Sequence, residues 1–195
     1  MAESYQSAQI VKTATGKQYH VGVAPGDVAE RIMLVGDPAR ADKVASRFDS
    51  IQGRWANREY VTITGIYQGA PLTVTATGIG TDNTEIAFIE LSQCVENATF
   101  LRVGSSGALK DGIALGDLVI STGAVRLEAT STQFVPEGYP CLAHHEVILA
   151  LVEASKDLEG RKAHVGLTAT ACGFYGAQGR QVPGFPPRDP ERPAR

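Results

Sequence analysis

The chain has 195 residues, 43% hydrophobic and 20% charged, with a formal net charge of -3, enough for one hydrophobic core and ordinary for a globular protein. The acidic balance argues against a nucleic-acid binder, which needs a basic face, but leaves room for a small anion held by a few clustered arginines. No apolar run reaches the roughly 18 residues of a membrane span, and the opening MAESYQSAQIVKTATGK lacks the apolar core of a secretion signal, so a cytoplasmic protein without membrane partners is expected.

Residues 1 to 19 are polar and expected to be loose. The apolar run Arg31–Val35 predicts a buried strand. Asp37 then suits a helix N-cap and Pro38 the first helical position, with Ala41, Val44, Ala45 and Phe48 at helical spacing. Glu59–Tyr67 alternates, and after a turn at Gly69-Ala70-Pro71 so does Leu72–Thr77, a hairpin pattern. Asp82 and Glu85 have capping-box spacing ahead of Phe88, Leu91 and Val95 on one helical face. Thr99–Val103 predicts a strand ended by Gly104-Ser105-Ser106-Gly107. Further strands are expected at Asp117–Ser121 and Ala163–Ala169, and a helix over Glu146–Ser155 with Ile148, Leu151 and Val152 inward. Alternating strands and helices indicate an α/β fold with a parallel or mixed sheet. Pro183, Pro186, Pro187, Pro190 and Pro193 crowd the end of the chain. The expectation is one domain over residues 1–182 and an unstructured tail over 183–195.

Three stretches have the residue types of a binding site. Gly36-Asp37-Pro38-Ala39-Arg40 joins a buried strand to a helix N-terminus, where free N–H groups favour an anion. Arg40 in that first turn opposes the helix dipole unless an anion is near. An ordinary capped turn with a solvated arginine has the same pattern. Arg102 ends an apolar strand, where a charge needs a partner, and Gly104-Ser105-Ser106-Gly107 supplies N–H and hydroxyl donors; a glycine turn beside an edge-strand arginine reads the same way. Gly173-Phe174-Tyr175-Gly176-Ala177-Gln178-Gly179-Arg180 combines aromatics that can stack on a flat base with an amide and a guanidinium that can meet its edge, although a surface loop has such a composition too.

Elsewhere the residues are less informative. His144-His145-Glu146 diverge on a helix and cannot converge on one metal, His20 is isolated in a loop, and Trp55 and Arg58 fall in a polar connection. Cys94, Cys141 and Cys172 follow no metal-ligand spacing and read as reduced thiols.

Taken together and in order, Val35-Gly36-Asp37-Pro38 with Arg40, Thr77-Gly78-Ile79-Gly80, and Leu101-Arg102-Val103-Gly104-Ser105-Ser106-Gly107 resemble the nucleoside phosphorylase-I superfamily. Phe174-Tyr175 followed by Gln178 and Arg180 resembles its uridine phosphorylase branch. The resemblance implies an α/β/α sandwich around a mixed, barrel-like central sheet. The activity implied is a pentosyltransferase's: uridine and phosphate give uracil and ribose 1-phosphate, in pyrimidine nucleoside salvage, with phosphate as co-substrate and no cofactor.

Roles follow from the same resemblance. Gly36, Arg40, Arg102 and Ser105 would bind phosphate. Arg58 would reach the phosphate of a neighbouring subunit, and His20 the neighbour's ribose 5′-hydroxyl. Phe174 would pack beside the nucleoside, with Ser105 also at its site, and Gln178 and Arg180 would bind the uracil edge. Arg102, Gln178 and Arg180 are the residues expected to carry catalysis. The active unit would be a homo-oligomer, a dimer or a ring of dimers. Family members continue into a strand–helix segment with a Glu-Met-Glu motif that grips the ribose, and this sequence contains none, so the phosphorylase domain over 1–182 is expected to be truncated, incomplete at its C-terminus. A purine-directed member of the superfamily and a non-catalytic nucleoside- or phosphate-binding remnant are the alternatives.

Overall fold

The computed structural model describes residues 9–188, which fall into two units divided between Ser105 and Ser106. In the first, the apolar run is β1 (Arg31–Val35), followed by α1 (Pro38–Ala45), β2 (Ser50–Asn57), β3 (Tyr60–Tyr67), β4 (Ala70–Ala76), α2 (Thr81–Ser92) and β5 (Thr99–Arg102). The strands form one mixed sheet in the order β2-β3-β4-β1-β5. β1 runs parallel to β4 and β5, while β2, β3 and β4 are antiparallel. The carboxyl ends of β4, β1 and β5 therefore share one end of the sheet, the position at which open α/β sheets bind ligands. The β2–β3 turn lies at the same end, because Val61 of β3 and Val35 of β1 both pair with Ala76 of β4.

Two apolar clusters hold this sheet. Val21, Val23, Ile32, Leu34, Tyr60 and Leu91 pack together, and Val35, Ala41, Ile63, Val74 and Ala76 form the other. Four buried threonines lie among them in paired register, Thr62 opposite Thr75 and Thr64 opposite Thr73. Their hydroxyls meet at 3.1 Å and 2.8 Å. The Thr64 hydroxyl also donates to the Asp27 carbonyl at 2.8 Å, and Thr73 Oγ1 accepts from the Ala29 N–H at 2.8 Å.

Several elements depart from what the sequence predicts. β2 spans the stretch read as a polar connection: none of its residues is fully buried, but from Gln52 to Asn57 exposed and half-buried residues alternate, and Trp55 packs on the core. The β3–β4 turn sits at Gln68-Gly69, both with positive φ (49° and 74°), one step before the expected glycine turn. Helix α2 begins at Thr81, so Asp82 is its second residue and not a cap. Gly80 takes the cap position at φ 108°, which a side-chain-bearing residue rarely adopts. Phe88 is half exposed and rests on Phe100, while Leu91 is buried. Within the described part of the N-terminal stretch, Lys12 and Gln18 form an antiparallel bridge around a Thr13–Gly16 turn, and Gln18 is buried, so this part is not loose. Residues 1–8 lie outside the described residues.

The second unit contains β6 (Leu118–Leu127), α3 (His145–Ala154) and β7 (Ala163–Ala171). β6 and β7 pair in parallel through a bulge between Ser121 and Gly123, and this carries β6 well past the strand expected at 117–121. In α3, Ile148, Leu151 and Val152 are half-buried, as the helical spacing predicts. Asp117 joins the two strand starts. Its carboxylate accepts from the Ala114 N–H (3.0 Å) and the Lys162 N–H (3.1 Å), and it meets His164 Nε2 at 2.8 Å. Those hydrogen bonds, His164's above all, lower its carboxyl from the usual 3.8 to about 2. Towards the C-terminus Val182 and Phe185 bridge across a turn and Pro187 is buried; the remainder of the proline-rich tail, 189–195, lies outside the described residues.

Candidate active site

The shared end of the first sheet gathers six of the residues singled out in the sequence. β1 delivers Gly36 to the start of α1, where the Asp37 carboxylate caps the helix by accepting from the Ala39 N–H at 2.9 Å. Arg40 follows in the first turn, which contains no acidic residue. The adjacent loops are tied to this one through the backbone: the Gly78 N–H donates to the Gly36 carbonyl (2.9 Å) and the Val103 N–H to the Leu34 carbonyl (2.8 Å). The second tie continues the Leu34–Arg102 pairing, so β5 ends with Arg102 beside the end of β1, and the chain leaves it towards Ser105. Neither Arg40 nor Arg102 has an acidic partner among the described residues, leaving both guanidinium charges uncompensated at one edge. Gly104 makes room for one of them, since a Cβ there would lie 3.0 Å from Arg102 Nη1.

Arg58 stands in the β2–β3 turn with φ 53°, a left-handed conformation uncommon for such a residue. The following Glu59 side chain lies against Gly78, whose Cβ would fall 3.6 Å from Glu59 Cγ. The Arg58 guanidinium carbon is 5.0 Å from the Tyr19 ring centre, and Tyr19 meets the His20 ring edge-on at 5.0 Å. Asn57 Nδ2 donates to the carbonyls of Tyr19 (3.1 Å) and His20 (2.8 Å). The two residues whose expected roles lie in a neighbouring subunit are thus held as one cluster within their own chain. His20 is not isolated either, because Glu90 of α2 binds its backbone and its ring. Glu90 and Tyr19 escaped the sequence reading. Glu90 left one signal: it follows Ile86 by four residues and precedes Leu91, a carboxylate in an apolar helical stripe, which requires a buried partner.

In the second unit Phe174, Gln178 and Arg180 form a cluster of their own. Arg180 lies over the Phe174 ring, 4.0 Å from its centre, and Arg180 Nε donates to the Phe174 carbonyl at 3.0 Å. Gln178 Oε1 accepts from Arg180 Nε (3.2 Å) and Nη2 (3.0 Å). Gly179, in the left-handed region at φ 68°, turns the chain so that the two side chains meet. The Gln178 amide nitrogen donates to the Gly173 carbonyl at 3.5 Å, so with its oxygen engaged as well Gln178 has one N–H left as a donor suited to a carbonyl. A cavity of about 500 Å³ in this unit lies elsewhere, lined by Arg126, Glu128, Tyr139 and Cys141 among others and by none of the expected residues. Arg126 Nη2 donates there to the carbonyls of Pro136, Glu137 and Tyr139 and so fixes the loop. No group of three metal-ligating side chains occurs among the described residues, and none of the described helices is long and apolar enough to cross a membrane.

Residues 30–189 match the family model of the Phosphorylase superfamily, and the chain belongs to that family. It is 48% identical over 180 residues to the uridine phosphorylase of Thermococcus kodakarensis, an alignment covering 92% of this chain and 64% of that protein. A guanosine phosphorylase of Halorubrum lacusprofundi is 38% identical over 159 residues, covering 82% of this chain and 65% of that one. The crystal structure of uridine phosphorylase from Vibrio fischeri superimposes with a TM-score of 0.79 at 32% identity, over 84% of this chain and 68% of that one. The α/β fold with a mixed sheet is thus of the nucleoside phosphorylase kind. The chain spans somewhat under two thirds of the length of the curated relatives it matches.

Proposed function

We propose that the protein is a phosphate-dependent nucleoside-cleaving enzyme whose substrate is uridine. The observation that supports this most is the gathering of Gly36, Arg40, Arg102 and Ser105 at the carboxyl ends of parallel strands, with both arginines uncompensated. Arginine forks match phosphate oxygens, and they carry the reading, since the first N–H groups of the helix are already taken by Asp37, Ala39's by the carboxylate and Arg40's by the carbonyl. In the reaction the bond between ribose C1′ and the base nitrogen breaks, and the base leaves with the electron pair. A phosphate oxygen bonds to C1′, giving ribose 1-phosphate. The Gln178 N–H and the Arg180 guanidinium are donors for the negative charge growing on a uracil carbonyl, an interaction that strengthens as the bond breaks. The base is protonated afterwards by solvent. Phosphate is the co-substrate, and the residues need no cofactor for these steps.

His20 and Arg58 complete the site of a neighbouring subunit in this reading, so the working form is a homo-oligomer, a dimer or a ring of dimers, acting in the cytoplasm on nucleosides and not on nucleic acid. A purine-directed activity is the second reading, and the guanosine phosphorylase among the relatives favours it. The deciding assay follows uridine and guanosine loss with and without phosphate, identifying the sugar product. Ribose 1-phosphate from uridine, only when phosphate is present, is expected. Equal rates without phosphate would overturn the phosphorolytic reading, faster guanosine cleavage would select the second, and tight nucleoside binding without turnover would mark a non-catalytic protein.

A further inference from the structure

We infer that Glu90 is a positioning residue that fixes the tautomer and direction of His20, and thereby sets how strongly a substrate's 5′-hydroxyl is recognised. The inference rests on the proposed function, in which His20 meets the ribose 5′-hydroxyl. Glu90 is 8% exposed in α2. Its Oε1 accepts from the His20 N–H at 3.1 Å, and its Oε2 accepts from the N–H groups of His20 (3.0 Å) and Val21 (2.8 Å). Both oxygens are thus engaged as acceptors by the backbone. His20 Nδ1 lies 2.7 Å from Oε1, and against such an acceptor it must be the nitrogen that carries the proton.

A neutral imidazole protonated at Nδ1 has its lone pair on Nε2. That atom has no hydrogen-bond partner among the described residues, and the His20 side chain keeps 33% of its surface exposed. The ring borders an open cleft of about 180 Å³ lined by Gln18, Glu85, Ile86, Glu90 and Gln93 among others. Nε2 is therefore an acceptor held ready for a hydroxyl donor. The hold is doubled from the other side, where Asn57 binds the His20 carbonyl, so ring and backbone are both fixed before a ligand arrives.

The test compares kcat/KM for uridine and 5′-deoxyuridine at saturating phosphate in the native protein, Glu90→Ala, Glu90→Gln, His20→Ala and Glu90→Ala/His20→Ala. The native protein should prefer uridine by about tenfold, the size of one hydrogen bond. Glu90→Ala should bring the ratio near one, chiefly through KM, with no further change in the double variant. Glu90→Gln, whose amide oxygen can still accept from Nδ1, should restore part of the preference. Equal losses on both substrates in Glu90→Ala would show a merely structural role and overturn the inference. A native protein that cleaves both substrates equally would instead remove His20 from the 5′-hydroxyl, and with it the reading on which the inference rests. Nitrogen NMR of the His20 imidazole in the native protein needs no turnover: a proton on Nδ1 is expected, and a proton on Nε2 alone overturns the inference even if the variants fail to fold.

Discussion

Arg58 and Tyr19 are stacked, guanidinium over ring at 5.0 Å, across the turn that joins β2 and β3. Arg58 holds this place with φ 53°, so the turn stores strain to present a cation where glycine would sit freely. Replacing it should separate function from stability. Arg58→Gly is expected to melt within about 1 kcal/mol of the native protein, because relief of the left-handed conformation offsets the lost stacking. Turnover at limiting phosphate should fall at least tenfold, the loss of a charge-assisted contact. Thermal unfolding beside phosphate-dependent kinetics tests this, and a large drop in melting temperature would make Arg58 a structural residue.

Arg102→Ala should raise the KM for phosphate by roughly 10- to 100-fold, since hydrogen bonds to charged groups are worth about 1.5–3 kcal/mol. Gly104→Ala is the subtler variant. Its methyl group would press on Arg102 Nη1, the movable end of a flexible side chain. The fold should tolerate it while the phosphate KM rises a few-fold. Phosphate titration of initial rates reads both, and an unchanged KM in Arg102→Ala removes this arginine from the phosphate site.

Gln178 and Arg180 are joined as one unit, because the guanidinium holds the amide oxygen while the Gly173 carbonyl takes one amide N–H, which leaves the other N–H in a fixed direction. Removing either should lower kcat/KM for uridine by about 100-fold, the scale of a preorganised donor at a developing anion. Removing both should cost little more than removing one. Strictly additive losses in the double variant would show that the two side chains work independently.

The proposed function has each subunit lend Arg58 to its neighbour and keep Arg102 for itself, which would permit complementation. Mixing unfolded Arg58→Ala and Arg102→Ala proteins and refolding them together should restore roughly a quarter of native turnover, since random pairing in a two-fold dimer leaves about that share of sites intact. Sedimentation should show an oligomer. No recovery on mixing, with both variants folded, would place the two arginines in the same subunit's site.

Asp117 predicts an acid dependence for the second unit. Its carboxyl is lowered to about 2 by His164 and the Lys162 and Ala114 N–H groups, so its contribution to stability is complete above the usual 3.8 and is lost as pH falls towards about 2. Asp117→Asn should be less stable than the native protein at neutral pH, and the gap should close between about pH 4 and pH 2. Urea unfolding across that range measures it; a constant gap would mean the carboxylate charge contributes nothing.

The sequence reveals this fold best where local chemistry and tertiary placement agree. The apolar run before Gly36, the Asp37 cap and Pro38 each follow from short-range rules, and all three are in place. β2 is hard to read because its inward positions are only half-buried and include Gly53 and Asn57, so its alternation is not one of apolar against polar residues, and its pairing with β3 comes from the hairpin. The start of α2 was misplaced because Asp82 imitates a cap, while Gly80 takes that position through its backbone freedom. Gly36, Arg40, Arg102 and Ser105 stand out in the sequence as candidates, but the strand order that sets the ends of β1 and β5 side by side is not encoded in their spacing. The bond from Glu90 to His20 spans 70 positions, and no local pattern announces a pairing of that reach.

The buried threonines between β3 and β4 also act as a key for strand alignment. Proton donation runs in one direction, from the Ala29 N–H to Thr73, from Thr73 to Thr64, and on to the Asp27 carbonyl, so the pair also clasps the chain segment before β1. A slip by one residue would turn every threonine to the opposite face. A slip by two keeps the face but strands a hydroxyl, with Thr64 set against Pro71 in one direction or Thr73 against Ile66 in the other. An unsatisfied buried hydroxyl costs about 1–3 kcal/mol, whereas valines in these four places would slide past one another with little penalty. Polar groups in the interior here add little to the strength of the sheet; they reject the alignments that would carry the Arg58 turn away from the end of β1.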